Sequence, residues 1–336
     1  MRIYLYILAV IILSSCGSST DKTDSTTLSK DTVVITEKEL VELNDNITKE
    51  PSNPTLYHRR AKYYISIRDY NAALIDMSQV MNLDSTRVEY LLTLADLYSF
   101  ANRTSYSKRY LEKIIKMDPK NTETMLKLSE LYMLVKKNQE SINYANMALK
   151  IDEHLSKAYF LKGMNYLDGH DTLKAISSFI TATEQDPEYY SAYMLLGTLN
   201  AQKKSITAIG YYDQALRIDP KSTEAYYNKG KFYQDVKQYD KAIETYNTLL
   251  SIDSTYTAAL YNIGAINYVN EKYMDAVRFF SKTICFNPQH VEAFYARGLS
   301  YKYLNDKSKA VADFKMAVQL KPDYGAARDA LSEVRK

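Results

Sequence analysis

Residues 223–256 read TEAYYNKGKFYQDVKQYDKAIETYNTLLSIDSTY, and the pattern of this stretch recurs along most of the chain. Each copy has a polar or charged residue near its end, at positions 84, 118, 152, 186, 219, 253, 287 and 321. In five of the eight copies Pro follows this residue. These positions are 34 residues apart, with one interval of 33 before Pro220. A regular period of this length indicates an array of structural repeats.

The period divides the chain into eight units, which cover 271 of the 336 residues: 54–87, 88–121, 122–155, 156–189, 190–222, 223–256, 257–290 and 291–324. The eighth residue of every unit is Ala, Ser or Gly, and so is the twentieth once the one-residue gap of the fifth unit is allowed for, whereas the twenty-fourth is bulky in most units. Small residues on two facing helices allow their backbones to approach, and bulky neighbours fill the remaining space. The pattern therefore predicts a tight pair of helices in each unit.

The segments Ala225–Gly230 and Tyr239–Ala242 resemble the consensus of the tetratricopeptide repeat (TPR) family. The resemblance implies an all-α fold, a right-handed α-solenoid of about eight helix-turn-helix units. The first three units have Ala or Ser where the family has Gly, and no unit has the family's Trp. We therefore expect these three units to be less stable than the other five.

Two further helices are predicted at the ends of the array, which gives sixteen repeat helices and two capping helices. Residues 37–53 contain an apolar stripe of Leu40, Leu43 and Ile47, and Thr36 with Glu39 forms a capping box before it. Residues 325–336 carry a second stripe of Ala327, Leu331 and Val334 among charged residues. A short helix with one apolar face is suited to covering the exposed core of a terminal repeat.

The first 15 residues are predicted to be a signal peptide, because Arg2 precedes an apolar run that is too short to span a bilayer. Leu13-Ser14-Ser15-Cys16 resembles a bacterial lipobox, which implies that Cys16 is acylated and that residues 16–36 form a lipidated flexible tether. The alternatives are an ordinary secretory signal with a chance cysteine, or a buried N-terminal helix. Gly17 resembles the residue that follows the cysteine in outer-membrane lipoproteins. We therefore expect a lipid-anchored protein of the bacterial cell envelope, at the outer membrane and facing the periplasm.

Composition and motifs argue against several functional classes. The 43 basic and 40 acidic residues leave a net charge of +3, which does not favour binding to nucleic acid. The four His residues lack the spacing of a helical metal site, and no phosphate-binding loop, Cys-x-x-Cys pair or nucleophile motif occurs. We expect no enzymatic activity, no cofactor and no metal, and we interpret Cys285 as a buried, inert thiol.

The family resemblance implies that the first helix of each repeat lines a concave groove, through its second, fifth, ninth, twelfth and thirteenth residues. The fifth residues include Tyr227, Tyr261 and Tyr295, and Asn228 and Asn262 follow two of them. We predict an aromatic ladder with amide groups that binds an extended peptide. The alternative is that these residues only follow the structural consensus of the family.

The same groove positions carry eight acidic side chains against four charged basic ones, so the groove is predicted to be mildly acidic. Glu123 and Glu130 lie at the predicted acidic end, where we expect a basic partner segment. The leading hypothesis is a membrane-anchored TPR scaffold or adaptor that binds other envelope proteins or peptides in this groove. The alternatives are a substrate-presenting or regulatory subunit of a cell-wall, glycan or peptide-processing enzyme complex, and a surface capture lipoprotein.

Overall fold

The structure is a computed structural model that describes residues 37–335, and these residues form eighteen α-helices and no β-strand. The predicted all-α fold of paired repeat helices with a helix at each end is therefore confirmed. The first helices of the eight repeats are α2 (Pro54–Ser66), α4 (Val88–Phe100), α6 (Thr122–Leu134), α8 (Ser156–Asp168), α10 (Tyr190–Gln202), α12 (Thr223–Asp235), α14 (Thr257–Val269) and α16 (Val291–Tyr303).

The second helices follow after short turns. In the first repeat and in the third to eighth, the second helix packs on the first helix of its own repeat, and in the first and the third to seventh it also packs on the first helix of the next repeat. They are α3 (Tyr70–Leu83), α5 (Thr104–Met117), α7 (Asn138–Leu149), α9 (Thr172–Gln185), α11 (Thr207–Ile218), α13 (Tyr239–Ile252), α15 (Tyr273–Phe286) and α17 (Lys307–Leu320). The terminal helices are α1 (Glu37–Lys49) and α18 (Gly325–Arg335). The described residues divide into two compact units, 37–107 and 108–335, and the boundary lies within α5.

Repeats four to eight pack an aromatic ring directly on a glycine of their first helix. The pairs are Gly163–Phe179, Gly197–Tyr212, Gly230–Tyr246, Gly264–Phe280 and Gly298–Phe314. A Cβ atom on any of these glycines would lie only 2.5–2.7 Å from the nearest ring carbon. Because all five rings are buried, the eighth residue has to be glycine for the ring to occupy this position.

The first three repeats use a different combination at the same two places. Their eighth residues are Ala61, Ala95 and Ser129, and their twenty-fourth residues are Met77, Leu111 and Ala145, so no ring is present there. In the third repeat the Ser129 hydroxyl lies 3.0 Å from that of Ser141, which also donates a 2.7 Å hydrogen bond to the Ser129 carbonyl. The loss of glycine is thus matched by the loss of the ring. The lower stability of these repeats stays a prediction.

Every intra-repeat turn contains one residue with a left-handed backbone conformation, and none of these residues is glycine. They are Arg68, Asn102, Lys136, His170, Lys204, Lys237, Glu271 and Asn305, with φ between 53° and 62°. At the sixth repeat the Gln238 amide donates to the Tyr233 carbonyl at 2.8 Å and the Lys237 amide to the Gln234 carbonyl at 3.0 Å. These bonds satisfy the last carbonyls of the helix and fix the turn.

The terminal helices cover the ends of the array. Leu43 and Ile47 of α1 are buried, and Arg60 donates to Asn44 of this helix at 2.7 Å. Arg297 donates in the same way to a residue 16 positions earlier, Ser281 of α15, so α1 occupies the place of a second repeat helix. At the other end, α18 buries Ala327, Ala330 and Val334, and the predicted Leu331 is half-buried beside them.

Candidate functional site

The candidate groove is the face formed by the first helices of repeats three to eight. Within residues 108–335, α6 contacts α8, α10 contacts α12, and α14 contacts α16. Successive second helices of this compact unit do not approach one another as closely. The first helices therefore lie on the inner side of the curve, where the family resemblance places a binding groove.

The predicted ladder residues Tyr227, Tyr261 and Tyr295 are half-buried on these first helices. Each ring packs against two groups of its own repeat, the ring at the twenty-fourth place and the last residue. The distances between ring centroids are 6.1 Å to Tyr246 and 5.5 Å to Tyr256 for Tyr227, 5.5 Å to Phe280 and 4.9 Å to His290 for Tyr261, and 5.9 Å to Phe314 and 5.2 Å to Tyr324 for Tyr295. The three rings therefore have a structural role and also keep part of their surface open to the groove.

The sequence itself carries the repeat signature of a known family. Models of the tetratricopeptide repeat match residues 88–121, 160–222, 211–244 and 291–324. The chain belongs to the tetratricopeptide repeat family. TPR proteins generally act as protein-interaction scaffolds without catalytic activity, and this role is consistent with the open face of the first helices. No significant match is found among curated proteins.

Several solved TPR structures are similar to this chain. The C-terminal part of a TPR repeat-containing protein from Cytophaga hutchinsonii is 18% identical with a TM-score of 0.64, and the match covers 73% of this chain and 99% of that one. A tetratricopeptide repeat protein from Parabacteroides merdae is 18% identical with a TM-score of 0.49, over 74% and 99% of the two chains. YrrB, described as a TPR protein with an unusual peptide-binding site, is 19% identical with a TM-score of 0.42, over 66% and 97%. At these identities the likeness concerns the fold alone.

The two amides of the predicted ladder differ in their surroundings. Asn262 donates a 3.0 Å hydrogen bond to the hydroxyl of Tyr246, which in turn donates to Gln234 at 3.0 Å. Asn262 thus joins the seventh repeat to the sixth. The side chain of Asn228 is half-buried and forms no hydrogen bond within residues 37–335, so its amide is available to a ligand.

The predicted acidic end of the TPR groove is partly neutralised by basic neighbours. Glu130 forms a 2.8 Å ion pair with Lys157, and Glu123 lies 4.0 Å from Lys127 in the same helix. Similar pairs occur at two other groove acids of residues 108–335, Asp168 with Lys136 at 2.6 Å and Asp235 with Lys231 at 3.2 Å. Glu292 lies 3.3 Å from Nδ1 of His290, which accepts a hydrogen bond from the Ala293 amide. The groove therefore has less uncompensated negative charge than the residue count suggests.

Glu224 is the exception among the groove acids of residues 108–335. No basic group in the described part of the chain lies within 4.0 Å of its carboxylate, and no hydrogen bond reaches it there. The residue is accessible to solvent, yet desolvation by its surroundings raises the pKa of its carboxyl group. Sequence analysis counts Glu224 among the acids of the groove but does not single it out, because its lack of a partner depends on how adjacent repeats pack. In the sequence, only the tyrosines at positions 190, 227 and 256 could have pointed to Glu224.

Within residues 37–335 no group of three His, Cys, Asp or Glu side chains is placed to hold a metal ion. His58 is buried, with Nε2 2.8 Å from the Thr93 hydroxyl, and His170 lies in an exposed turn. None of the helices in this part of the chain has the length and apolar character needed to cross a bilayer.

The interpretation of Cys285 as a buried thiol is wrong, because this side chain is exposed. On α15 the buried positions are Ala276, Val277, Phe280 and Thr283. Cys285 follows Thr283 by two residues, or about 200° around the helix, so it lies on the opposite face. The predicted acylation site Cys16 lies outside the described residues.

Proposed function

We propose that this TPR protein is a membrane-anchored adaptor that binds segments of other envelope proteins in the groove of its first helices. One observation carries the proposal: Tyr227, Tyr261 and Tyr295 recur at the same place of three consecutive repeats and keep part of each ring open to the groove. Rings in a row supply contact area for an extended segment at low entropic cost, because each has only two side-chain torsions.

The packing of these rings makes them suited to this role. Each is held by two neighbours of its own repeat, at centroid distances between 4.9 and 6.1 Å. A ring that is already fixed loses little freedom when a partner binds, so less of the interaction energy is spent on ordering the site. The open amide of Asn228 adds a donor and an acceptor for the backbone of an extended segment.

A photo-reactive residue tests the groove directly in intact cells. We would replace Tyr261 by p-benzoylphenylalanine, and as the control Glu244, an exposed residue on the second helix α13. Adducts with other proteins are expected from position 261 and not from position 244. Equal adducts from both positions, or adducts from position 244 alone, would contradict binding in the groove. Circular dichroism of both variants establishes that the helices are retained.

The membrane anchor is tested by a separate change. Acylation of Cys16 would fix the chain to the outer membrane, facing the periplasm, through residues 16–36. The Cys16→Ser variant should then move from the membrane fraction to the soluble fraction, and mass spectrometry of the wild-type N-terminus should show an acylated cysteine. A Cys16→Ser variant that remains in the membrane fraction would refute this mode of anchoring.

A further inference from the structure

Among the groove acids of residues 108–335, one has no basic nitrogen of any kind within 4.0 Å, and it lies where the fifth and sixth repeats meet. Glu224 is the second residue of α12, whereas the other groove acids of residues 108–335 have a basic nitrogen within 4.0 Å. A glutamate in the first turn of a helix is stabilised by the helix dipole. The dipole does not, however, fully compensate the hydration that this carboxylate loses in the folded protein, since desolvation still raises its pKa.

Three tyrosines lie around the first turn and a half of α12. The Tyr190 hydroxyl lies 2.5 Å from that of Ser222, the N-cap residue of α12, and therefore close to the first turn that carries Glu224. Tyr256, the last residue of the sixth repeat, packs on Tyr227 of α12 at 5.5 Å. Burial raises the pKa of Tyr190 and of Tyr256, and the negative charge of Glu224 contributes to both shifts. The carboxylate thus lies within electrostatic reach of rings on both sides.

A partly desolvated carboxylate bordered by tyrosine rings favours a cation. Such a group attracts an ammonium or guanidinium through its charge, and the faces of nearby rings can add a cation–π interaction. Glu224 remains accessible to solvent, so a side chain from outside can reach it. Lys229, on the same helix, already pairs with Asp213 at 2.6 Å and is not available to neutralise Glu224.

We propose that Glu224, with Tyr190, Tyr227 and Tyr256, forms a subsite for a lysine or arginine side chain of the protein segment bound in the groove. This inference rests on the proposed function, since it specifies one position of the bound segment. It places the requirement for a basic residue in the sixth repeat. The sequence predicted a basic partner segment at the acidic residues of the third repeat, Glu123 and Glu130, but these are already paired with lysines.

A random dodecapeptide library displayed on phage tests the subsite with the full chain as bait. Selection on the wild-type protein should enrich peptides with Lys or Arg at one fixed place. Selection on Glu224→Gln should lose that preference and still yield peptides, and individual basic peptides should bind this variant at least about tenfold more weakly. The control is Glu244→Gln, the same charge change on the second helix of the same repeat, which should retain the preference.

The outcomes separate the subsite from the groove. A basic preference that persists in Glu224→Gln, or wild-type peptides without a basic residue, would overturn the subsite and leave groove binding intact. Failure of the wild-type protein to select any peptide above the bare support would overturn both proposals. Circular dichroism and the thermal midpoint of Glu224→Gln establish that a lost preference does not come from unfolding.

Discussion

Replacing Gly230 by alanine should destabilise the sixth repeat, although alanine is the better helix former. The new Cβ would lie 2.6 Å from Cε1 and 2.8 Å from Cδ1 of Tyr246. Contact at a normal carbon–carbon distance of about 3.5 Å requires the ring to move by about 1 Å. Tyr246 is fully buried and is held by hydrogen bonds to Gln234 and Asn262, each 3.0 Å long, so the ring cannot move without disturbing them.

The expected magnitude follows from two opposing effects. Overpacking a buried site costs about 1–3 kcal/mol, and Gly→Ala in a helix interior gains about 1 kcal/mol. Gly210, inside α11, provides the matched control, because a Cβ there meets no atom within 4 Å. Gly210→Ala should therefore stabilise its helix by about 1 kcal/mol. The difference between the two variants isolates the contact with the ring and should be about 1–3 kcal/mol.

Native-state hydrogen exchange is the appropriate assay, because repeat arrays open locally and a single free energy of unfolding is not defined for them. Amides of α12 and α13 should exchange faster in Gly230→Ala, and amides of α11 should exchange more slowly in Gly210→Ala. Adding Tyr246→Leu to Gly230→Ala should recover part of the loss, since it recreates the Ala–Leu combination of the second repeat. If Gly230→Ala slows exchange as much as Gly210→Ala does, the packing argument is refuted.

Three further outcomes are expected. Burial lowers the pKa of His58 from 6.5 to about 4, so the unfolded chain takes up a proton at a higher pH than the folded chain does. The local stability of α2 should therefore fall by about 1 kcal/mol between pH 7 and pH 5.5, and His58→Gln should abolish this change. Asp313→Ala removes both carboxylate contacts of Arg297, 2.7 and 2.8 Å long, and should lower the local stability of α17 by about 2–3 kcal/mol, measured by native-state hydrogen exchange. Lys302→Met, which breaks an exposed pair, should cost under about 1 kcal/mol in the same assay. Lys237→Gly relieves a left-handed residue with φ of 59° and should slow exchange of the Gln238 amide by an amount equivalent to about 0.5–1 kcal/mol.

Periodic features of this fold are predictable from the sequence because equivalent positions of the repeats have similar packing surroundings. The spacing of small and bulky residues is enough to predict the helix pairs and the terminal helices. The glycine at the eighth place is predictable as a site of close approach. The structure adds that Gly230 and Tyr246 form one unit, and that Ser129, where the ring is absent, is a compatible alternative.

Features that depend on the register between neighbouring repeats are not predictable in this way. The bond from Asn262 to Tyr246 and the pair of Glu130 with Lys157 both join adjacent repeats. A residue count assigns these side chains to the groove without showing that they already have partners. Cys285 shows the same limit within one helix, because its apolar neighbours in the sequence lie on other sides of α15.

Tyrosine, with 32 residues in a chain that has no tryptophan, suits both the packing of the repeats and the proposed binding face. At the twenty-fourth place a flat ring covers a glycine, and at the fifth and last places further rings stack against it at the edge of the groove. Tyrosine suits the edge because its ring packs on the core while its hydroxyl reaches water or a polar group, as Tyr190 does with Ser222. A surface of this kind is rigid and similar from repeat to repeat, so it can hold a segment without fixing its register. Register then requires a site that differs between repeats, and the unpaired carboxylate of Glu224 is such a difference.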